Sequence, residues 1–151
     1  MGQQQLLLIV LGVIIVGIAV AVGINMFSSS AVDANRDAVT ADLAHLASKA
    51  QQHYKKPTTM GGGGNDFNAF TLGTLDQSNT NGAYRLTTTA PTAASLATAA
   101  PAAAAANTAI AAAAQTIYIV GYGTETGRDG TNLTMAFATV TPNAITTSVL
   151  N

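Results

Sequence analysis

The chain contains no cysteine and no tryptophan in its 151 residues. Without cysteine it forms no disulfide bonds and offers no thiolate ligands to a metal. Extracellular domains of this size often depend on disulfides for stability. We therefore expect this chain to gain stability from another source, and packing between subunits is a natural one.

Charge is equally scarce. Charged residues make up 9% of the chain, and the formal net charge is −1. The longest basic run is the pair Lys55 and Lys56, whereas binding to nucleic acid requires clustered lysine and arginine. No nucleic-acid partner is indicated, and the surface should be covered by threonine, serine, asparagine and glycine.

Proline is absent before Pro57, and no charged side chain precedes Asp33. Residues 6–27 form an uncharged apolar run, and about 20 such residues in a helix span a bilayer. A helix that is apolar on all sides must be buried on all sides. A cleaved secretory signal needs basic residues ahead of the run, and the preceding Gln3, Gln4 and Gln5 are not basic. Residues 1–27 are therefore predicted to be a transmembrane or filament-core helix.

Residues 28–56 have the spacing of an amphipathic helix, with one apolar stripe. No proline interrupts residues 6–56, so the simplest interpretation is one helix about 75 Å long that ends before Pro57. The stripe should pack against the rest of the protein. Its members are Val32, Val39, Leu43, Leu46, Ala50 and Tyr54.

Beyond the helix we expect a glycine-rich loop region over residues 57–83 and an antiparallel β head over residues 84–151. The loop region offers four apolar side chains for packing on the helix stripe, which are Phe67, Phe70, Leu72 and Leu75. Strands are predicted at 84–89, 116–125, 131–140 and 145–150. An alanine-rich insertion, residues 90–114, has high helix propensity in its second half, but its conformation stays open.

Alternation in the third strand places Leu133, Met135 and Phe137 on one face. One face of the sheet should pack on the helix stripe, and the other should carry the threonines. The predicted fold class is α+β: a long N-terminal helix packed by a C-terminal antiparallel sheet.

No group of residues indicates catalysis, a cofactor or a bound metal. His45 and His53 are eight positions apart on the predicted helix, about 12 Å, too far to share one metal ion. Glu125, Asp129 and Asn132 flank a glycine-containing turn, whereas calcium requires six to eight oxygen ligands. We therefore interpret them as turn residues.

The retained apolar N-terminal segment, its continuation into an amphipathic helix and the C-terminal antiparallel sheet together resemble a type IV pilin or a pilin-like filament subunit. The resemblance implies a structural protein, not an enzyme. It implies storage in the cytoplasmic membrane, assembly with identical subunits by the pilus machinery, and an extracellular helical filament on the cell surface. In that family a leader is removed and the first mature residue is often N-methylated, which would here be Met1.

The sequence departs from the family at position five, where Gln5 replaces the usual glutamate. Glutamine accepts a hydrogen bond from a neighbour's terminal amine but cannot neutralise its charge, and it costs less than a carboxylate at membrane depth. The proline that commonly interrupts the helix is also missing. Archaeal pilins share a similar N-terminal segment but usually carry an immunoglobulin-like head, so the long helical second half fits the bacterial form better.

Assembly would depend on close approach between helices, which small residues permit. The residues that we expect to serve it are Met1, Gln5, Leu6, Gly12, Gly17, Ala19, Ala21 and Gly23. Two alternatives remain open at this point: a single-pass membrane-anchored surface protein with a small β head, and a minor pilin or secretion-system pseudopilin.

Overall fold

The computed structural model describes residues 2–92, 109–110 and 114–151. Its elements are a helix α1, four strands β1 to β4, and two single 3₁₀ turns between α1 and β1. Met1 and residues 93–108 and 111–113 of the predicted alanine-rich insertion lie outside the described residues.

Helix α1 runs without interruption over Gly2–Lys55, 54 residues. At 1.5 Å per residue this is about 80 Å. It ends one residue earlier than the sequence predicts, because Pro57 lacks a backbone N–H and disfavours helical geometry at Lys56. The chain then turns through 3₁₀ turns at Thr58–Met60 and Thr74–Asp76.

The strands are β1 (Gly82–Thr87), β2 (Ile117–Thr126), β3 (Leu133–Val140) and β4 (Ile145–Val149). They form one sheet in the order β1-β2-β3-β4, and each neighbouring pair is antiparallel. The predicted fold class, a long N-terminal helix packed by an antiparallel sheet, is confirmed.

The strand limits differ from the predicted ones by one or two residues. Strand β1 begins earlier, at Gly82, and ends at Thr87, whose hydroxyl accepts a hydrogen bond from the Thr89 N–H. Strand β3 begins two residues later, because the Asp129 carboxylate accepts the backbone N–H groups of Thr131 and Asn132. Local side-chain hydrogen bonds of this kind compete with strand pairing.

The main core lies between the second half of α1 and one face of the sheet. Val39 and Leu43 have no solvent exposure, and they face small residues of the strands. A Cβ atom on Gly121 would lie 2.7 Å from Val39 Cγ1. The helix therefore sits so close to β2 that only glycine fits at that position.

The two faces of the sheet do not divide into an apolar and a threonine face as expected. Ala136, Ala138 and Val140 are buried in the cluster that contains the helix residues. The larger Met135 lies on the opposite face, in a second cluster with Val120, Tyr122, Phe137 and Leu150. On β3 the small side chains therefore face the helix and the large ones cover the outer face. On β1 and β2 large side chains also pack in the helix-side cluster, which includes Tyr84, Leu86, Ile117 and Ile119.

Replacement of Gly121 by leucine should destabilise the head by about 1–3 kcal/mol, the usual cost of overpacking a dense core. The control is Gly12→Leu, because no atom lies within 4 Å of a Cβ atom built there. Denaturant unfolding of the full chain in detergent, followed by near-UV circular dichroism, measures both. Equal midpoints for the two variants would contradict the close helix–sheet packing.

Candidate functional site

The first half of α1 is the largest feature of the molecule that its own fold leaves uncovered. Every large apolar side chain from Leu6 to Phe27 is 50–81% exposed. The second half of the same helix contains the buried Val39, Leu43 and Leu46. The sheet therefore covers one half of the helix and leaves the apolar half bare.

By length and composition, α1 is a candidate membrane span near the N-terminus. Its most apolar 18-residue window has a mean hydropathy of 3.2, and none of that window is buried inside the molecule. A buried core helix of a soluble protein would meet the same criterion of length and composition, but it would be covered by the rest of the chain. Here none of the described residues covers the apolar window.

The small residues predicted to serve assembly lie on two sides of the helix. At 100° per residue, Gly12, Ala19 and Gly23 fall within about 40° of one another. Gly17 and Ala21 lie about 140–180° away, in line with the side that carries Val39 and Leu43 further along. In the structure no atom approaches the Cβ position of any of the three glycines. Gln5 falls on the Gly12 side and is exposed, and Leu6 is 64% exposed.

The head is joined to α1 immediately beyond the apolar half. Arg128, in the turn between β2 and β3, places Nη2 2.9 Å from Asp33 Oδ1. The Asn35 amide donates to the Asn81 carbonyl at 2.9 Å and accepts from the Thr124 N–H at 3.2 Å. These contacts fix one end of the sheet to α1 a few residues beyond the end of the apolar run.

A shallow groove of about 390 Å³ opens between this turn and the helix. Its walls mix polar and apolar groups, with Ser28, Ser29 and Val32 on the helix and Arg128 on the turn. The groove marks the change from apolar helix to polar head. Its serines do not interrupt α1, which continues through residues 28–30.

Further along the helix, the carboxylate of Asp42 joins α1 to the segment before β1. Its Oδ2 accepts hydrogen bonds from Tyr84 Oη at 2.7 Å, Asn79 Nδ2 at 2.8 Å and Asn81 Nδ2 at 2.9 Å. Partial burial alone raises the pKa of Asp42, but the hydrogen bonds from Asn81, Tyr84 and Asn79 outweigh it and lower the pKa below the usual 3.8. Burial and the Asp42 carboxylate raise the pKa of Tyr84 well above 10.0.

About two helical turns beyond Asp42, an ion pair also joins α1 to the segment before β1. Lys49 Nζ lies 2.7 Å from Asp76 Oδ1 and 3.0 Å from its Oδ2. Both side chains are partly exposed, at 43% and 27%, so the ion pair adds about 1 kcal/mol or less. The ion pair therefore contributes more to the position of this segment on α1 than to the free energy of unfolding.

The predicted helix-to-sheet stripe occupies the sheet side of α1. Val39, Leu43, Leu46 and Ala50 are buried, whereas Val32 is half-buried at the groove. Tyr54 is half-buried: its ring lies 4.9 Å from that of Phe67, and its hydroxyl donates to Gln115 at 2.9 Å.

Phe67, Phe70 and Leu72 of the loop region are buried in the same core. The prediction for Leu75 is wrong, because this side chain is 92% exposed. It lies in the 3₁₀ turn Thr74–Asp76, which the polar contacts of Asp76 hold at the surface.

Two of the titratable residues considered for metal binding, His53 and Asp129, have other partners. His53 Nε2 lies 3.0 Å from the Asn68 carbonyl, and its ring contacts Phe70. Asp129 accepts hydrogen bonds from the Asn132 side chain and from the backbone of Thr131 and Asn132, which lower its pKa to about 2. Over the described ranges, no group of three histidine or acidic side chains is arranged to hold a metal ion.

Sequence reasoning missed the polar residues that fasten the head to the helix. Asn35 and Asp42 lie on the flank of the stripe, and nothing in their spacing identifies distant partners. Asn151 is a third case: its amide accepts from the Met135 N–H at 2.7 Å and donates to the Leu133 carbonyl at 2.9 Å. The composition gives one indication of such contacts: a chain with so few charged residues must use other polar side chains, such as asparagine, to join its elements.

Comparisons with protein-family models, curated proteins and solved structures found no match to this chain.

Asp42→Asn should lower the free energy of unfolding by about 1–2 kcal/mol, because the neutral amide oxygen accepts weaker hydrogen bonds from Tyr84, Asn79 and Asn81 than the ionised carboxylate does. Since its pKa is lowered in the folded state, the ionised carboxylate stabilises the head above about pH 4. That contribution is lost as the pH falls through the folded-state pKa. The loss of stability on acidification should therefore be smaller in the variant than in the wild type.

The matched control is Asp37→Asn, an exposed position on the same helix. Urea midpoints of the full chain in detergent, measured between pH 2.5 and 7, give both quantities. If Asp42→Asn and Asp37→Asn shifted the midpoint equally at pH 7, the Asp42 cluster would not hold the head to the helix.

Proposed function

We propose that this protein is the structural subunit of a type IV pilus-like helical filament, stored in the cytoplasmic membrane and assembled through the N-terminal half of α1. In this proposal the apolar halves of many copies form the filament core. The heads, each fixed to its own helix, form the outer shell.

The observation that carries the proposal is the uncovered apolar half of α1. Sixteen large apolar side chains between Leu6 and Phe27 are exposed by at least half, which a chain in water does not tolerate in one block. Two surroundings satisfy such a segment: lipid hydrocarbon, and the apolar helices of other copies. A filament subunit uses both in turn.

Transfer from lipid to a helix bundle exchanges one apolar surrounding for another, so packing must favour the bundle. Small residues allow close approach of helices, and α1 presents them on two sides. Gly12, Ala19 and Gly23 supply one side, and Gly17 and Ala21 the other. A helix with two such sides can contact a neighbour on each, as a helical polymer requires.

The rigid connection between head and helix also supports the proposal. The contacts of Asn35, Asp42 and Lys49 fix the head at several points along α1. A membrane-anchored binding protein gains from a flexible connection, whereas a repeating subunit needs one fixed geometry in every copy. No described cluster of residues offers the head a binding function of its own.

A direct test is to shear producing cells, pellet the released material and identify its protein by mass spectrometry, including the N-terminus. The proposal expects this chain in filaments visible by electron microscopy, with a methylated Met1. Recovery only in detergent-solubilised membranes would overturn it in favour of the single-pass membrane-anchored alternative.

Gly17→Leu should reduce the yield of filaments by about tenfold or more, because a large side chain there prevents close helix approach on the Gly17 side of α1 in every subunit. The head should remain folded, since no described atom outside the neighbouring turns of α1 lies within 4 Å of that Cβ position. Val16→Leu, which enlarges a neighbouring side chain that is already large, should leave filaments intact. Normal filaments from Gly17→Leu cells would refute the packing role of Gly17.

A further inference from the structure

The two outer edges of the sheet are treated differently by the fold. At the β1 edge, the segment before the strand covers the first part: the Tyr84 N–H donates to the Gln77 carbonyl at 2.8 Å, and the Asn79 N–H donates to the Gly82 carbonyl at 2.9 Å. Ser78 also forms an antiparallel bridge with Ala83. Among the described residues, the segment before β1 thus covers this edge up to Tyr84.

At the β4 edge, alternate residues direct their backbone groups away from the sheet. The Leu150 N–H donates to the Met135 carbonyl, and the Thr141 N–H donates to the Ala144 carbonyl. Even-numbered residues of this strand therefore pair with β3, and in an antiparallel ladder the odd-numbered ones point outward. Across the described part of the chain, no residue pairs with the outward groups of Thr147 or Val149, and both side chains are exposed.

The β4 sequence does nothing to protect this edge. Natural edge strands usually carry lysine, proline, inward charges or a bulge that prevents pairing with another strand. Strand β4 reads Ile-Thr-Thr-Ser-Val, uncharged and rich in β-branched residues, and its register with β3 is regular. It is a strand suited to pairing, and its outer edge has no partner among the residues that the structure describes.

We propose that the outer edge of β4 pairs antiparallel with β4 of a second copy of this chain, and that this contact joins filaments side by side. Pairing of Thr147 with Thr147 of the second copy uses the whole strand and forms about six backbone hydrogen bonds. Two copies of an uncharged strand meet without repulsion. The inference rests on the proposed filament function.

The geometry also indicates whether the β4 contact lies within one filament or between two filaments. Pairing β4 with the other edge of a neighbour would give a head-to-tail contact, but the neighbour's β1 edge is largely covered. Pairing β4 with β4 is an isologous contact, the same surface on both partners, and such a contact closes after two copies. It cannot build the filament, so it links two subunits that belong to different filaments.

A five-residue strand pair is far smaller than the interface of a stable dimer. Free subunits should therefore remain monomeric. Filaments repeat the contact along their length, so many weak contacts together should hold two filaments side by side. Side-by-side association is expected only after assembly.

The absence of native cysteine makes cross-linking a clean test, because a single introduced cysteine has no other thiol to react with. In the proposed register Thr147 faces its own counterpart at a Cα separation of about 5.5 Å, within the range of a disulfide. Sheared Thr147→Cys filaments, oxidised mildly, should give a disulfide dimer on a non-reducing gel. Asn143→Cys is the control, because it lies about 26 Å from its counterpart in that register.

A second pair of variants tests the backbone contact itself. Thr147→Pro removes an outward N–H while leaving the pairing with β3, a position where edge strands accept proline. Its filaments should form in normal amount but lie singly in electron micrographs. Thr147→Val keeps the N–H and the branched side chain, so its filaments should associate as the wild type does.

The outcomes separate the two proposals. Wild-type filaments that never associate, or associated Thr147→Cys filaments without a disulfide dimer, would overturn the β4 pairing and leave the filament function standing. Association of Thr147→Pro filaments equal to wild type would also overturn it. If sheared material contains no filaments of this chain, the proposed function fails and the β4 pairing fails with it.

Discussion

The structure depends on one constraint: the first half of α1 is apolar around its whole circumference, and the described part of the head does not cover it. The sheet packs against the second half of the helix, where Val39 and Leu43 are fully buried. All other features of the molecule follow from how a small polar head is fixed beside a helix that must be buried elsewhere.

The head meets this constraint with few charges and no disulfide. Its core is made dense by placing Gly121, Ala136 and Ala138 under the helix, so that van der Waals contact replaces the contribution of larger side chains. Polar side chains then fix the head along the helix, with Asp42 accepting three hydrogen bonds at one carboxylate oxygen. Fixation by asparagine and a few carboxylates suits a chain in which only 9% of residues are charged.

Much of the fold could be predicted from the sequence because its periodicities are strong. An uninterrupted helical pattern ending at Pro57 and four predicted strand segments lead to the long helix and the meander. The orientation of β3 could not be found this way. Large residues on one face of β3 suggest that this face packs on the helix. The helix instead packs on the face with small residues, because the two elements approach closely, and the sequence does not show how close that approach is. The exposure of Leu75 is a similar case, because the polar contacts of Asp76 decide it.

The candidate site could also be predicted from the sequence only in part. The apolar segment is evident from composition, whereas its relation to the head depends on contacts such as Asp33 with Arg128, separated by 95 positions in sequence. Spacing along a chain carries no information about partners so far apart.

The attachment of the head at successive points along one continuous helix has a mechanical consequence. A pull along the helix axis loads the contacts of Asn35, Asp42 and Lys49 in shear and at the same moment, so they must break together rather than one after another. A pull on the head perpendicular to the axis would peel them in sequence from one end. The subunit is therefore strongest along its length, and its resistance to tension is set by the sum of several weak bonds.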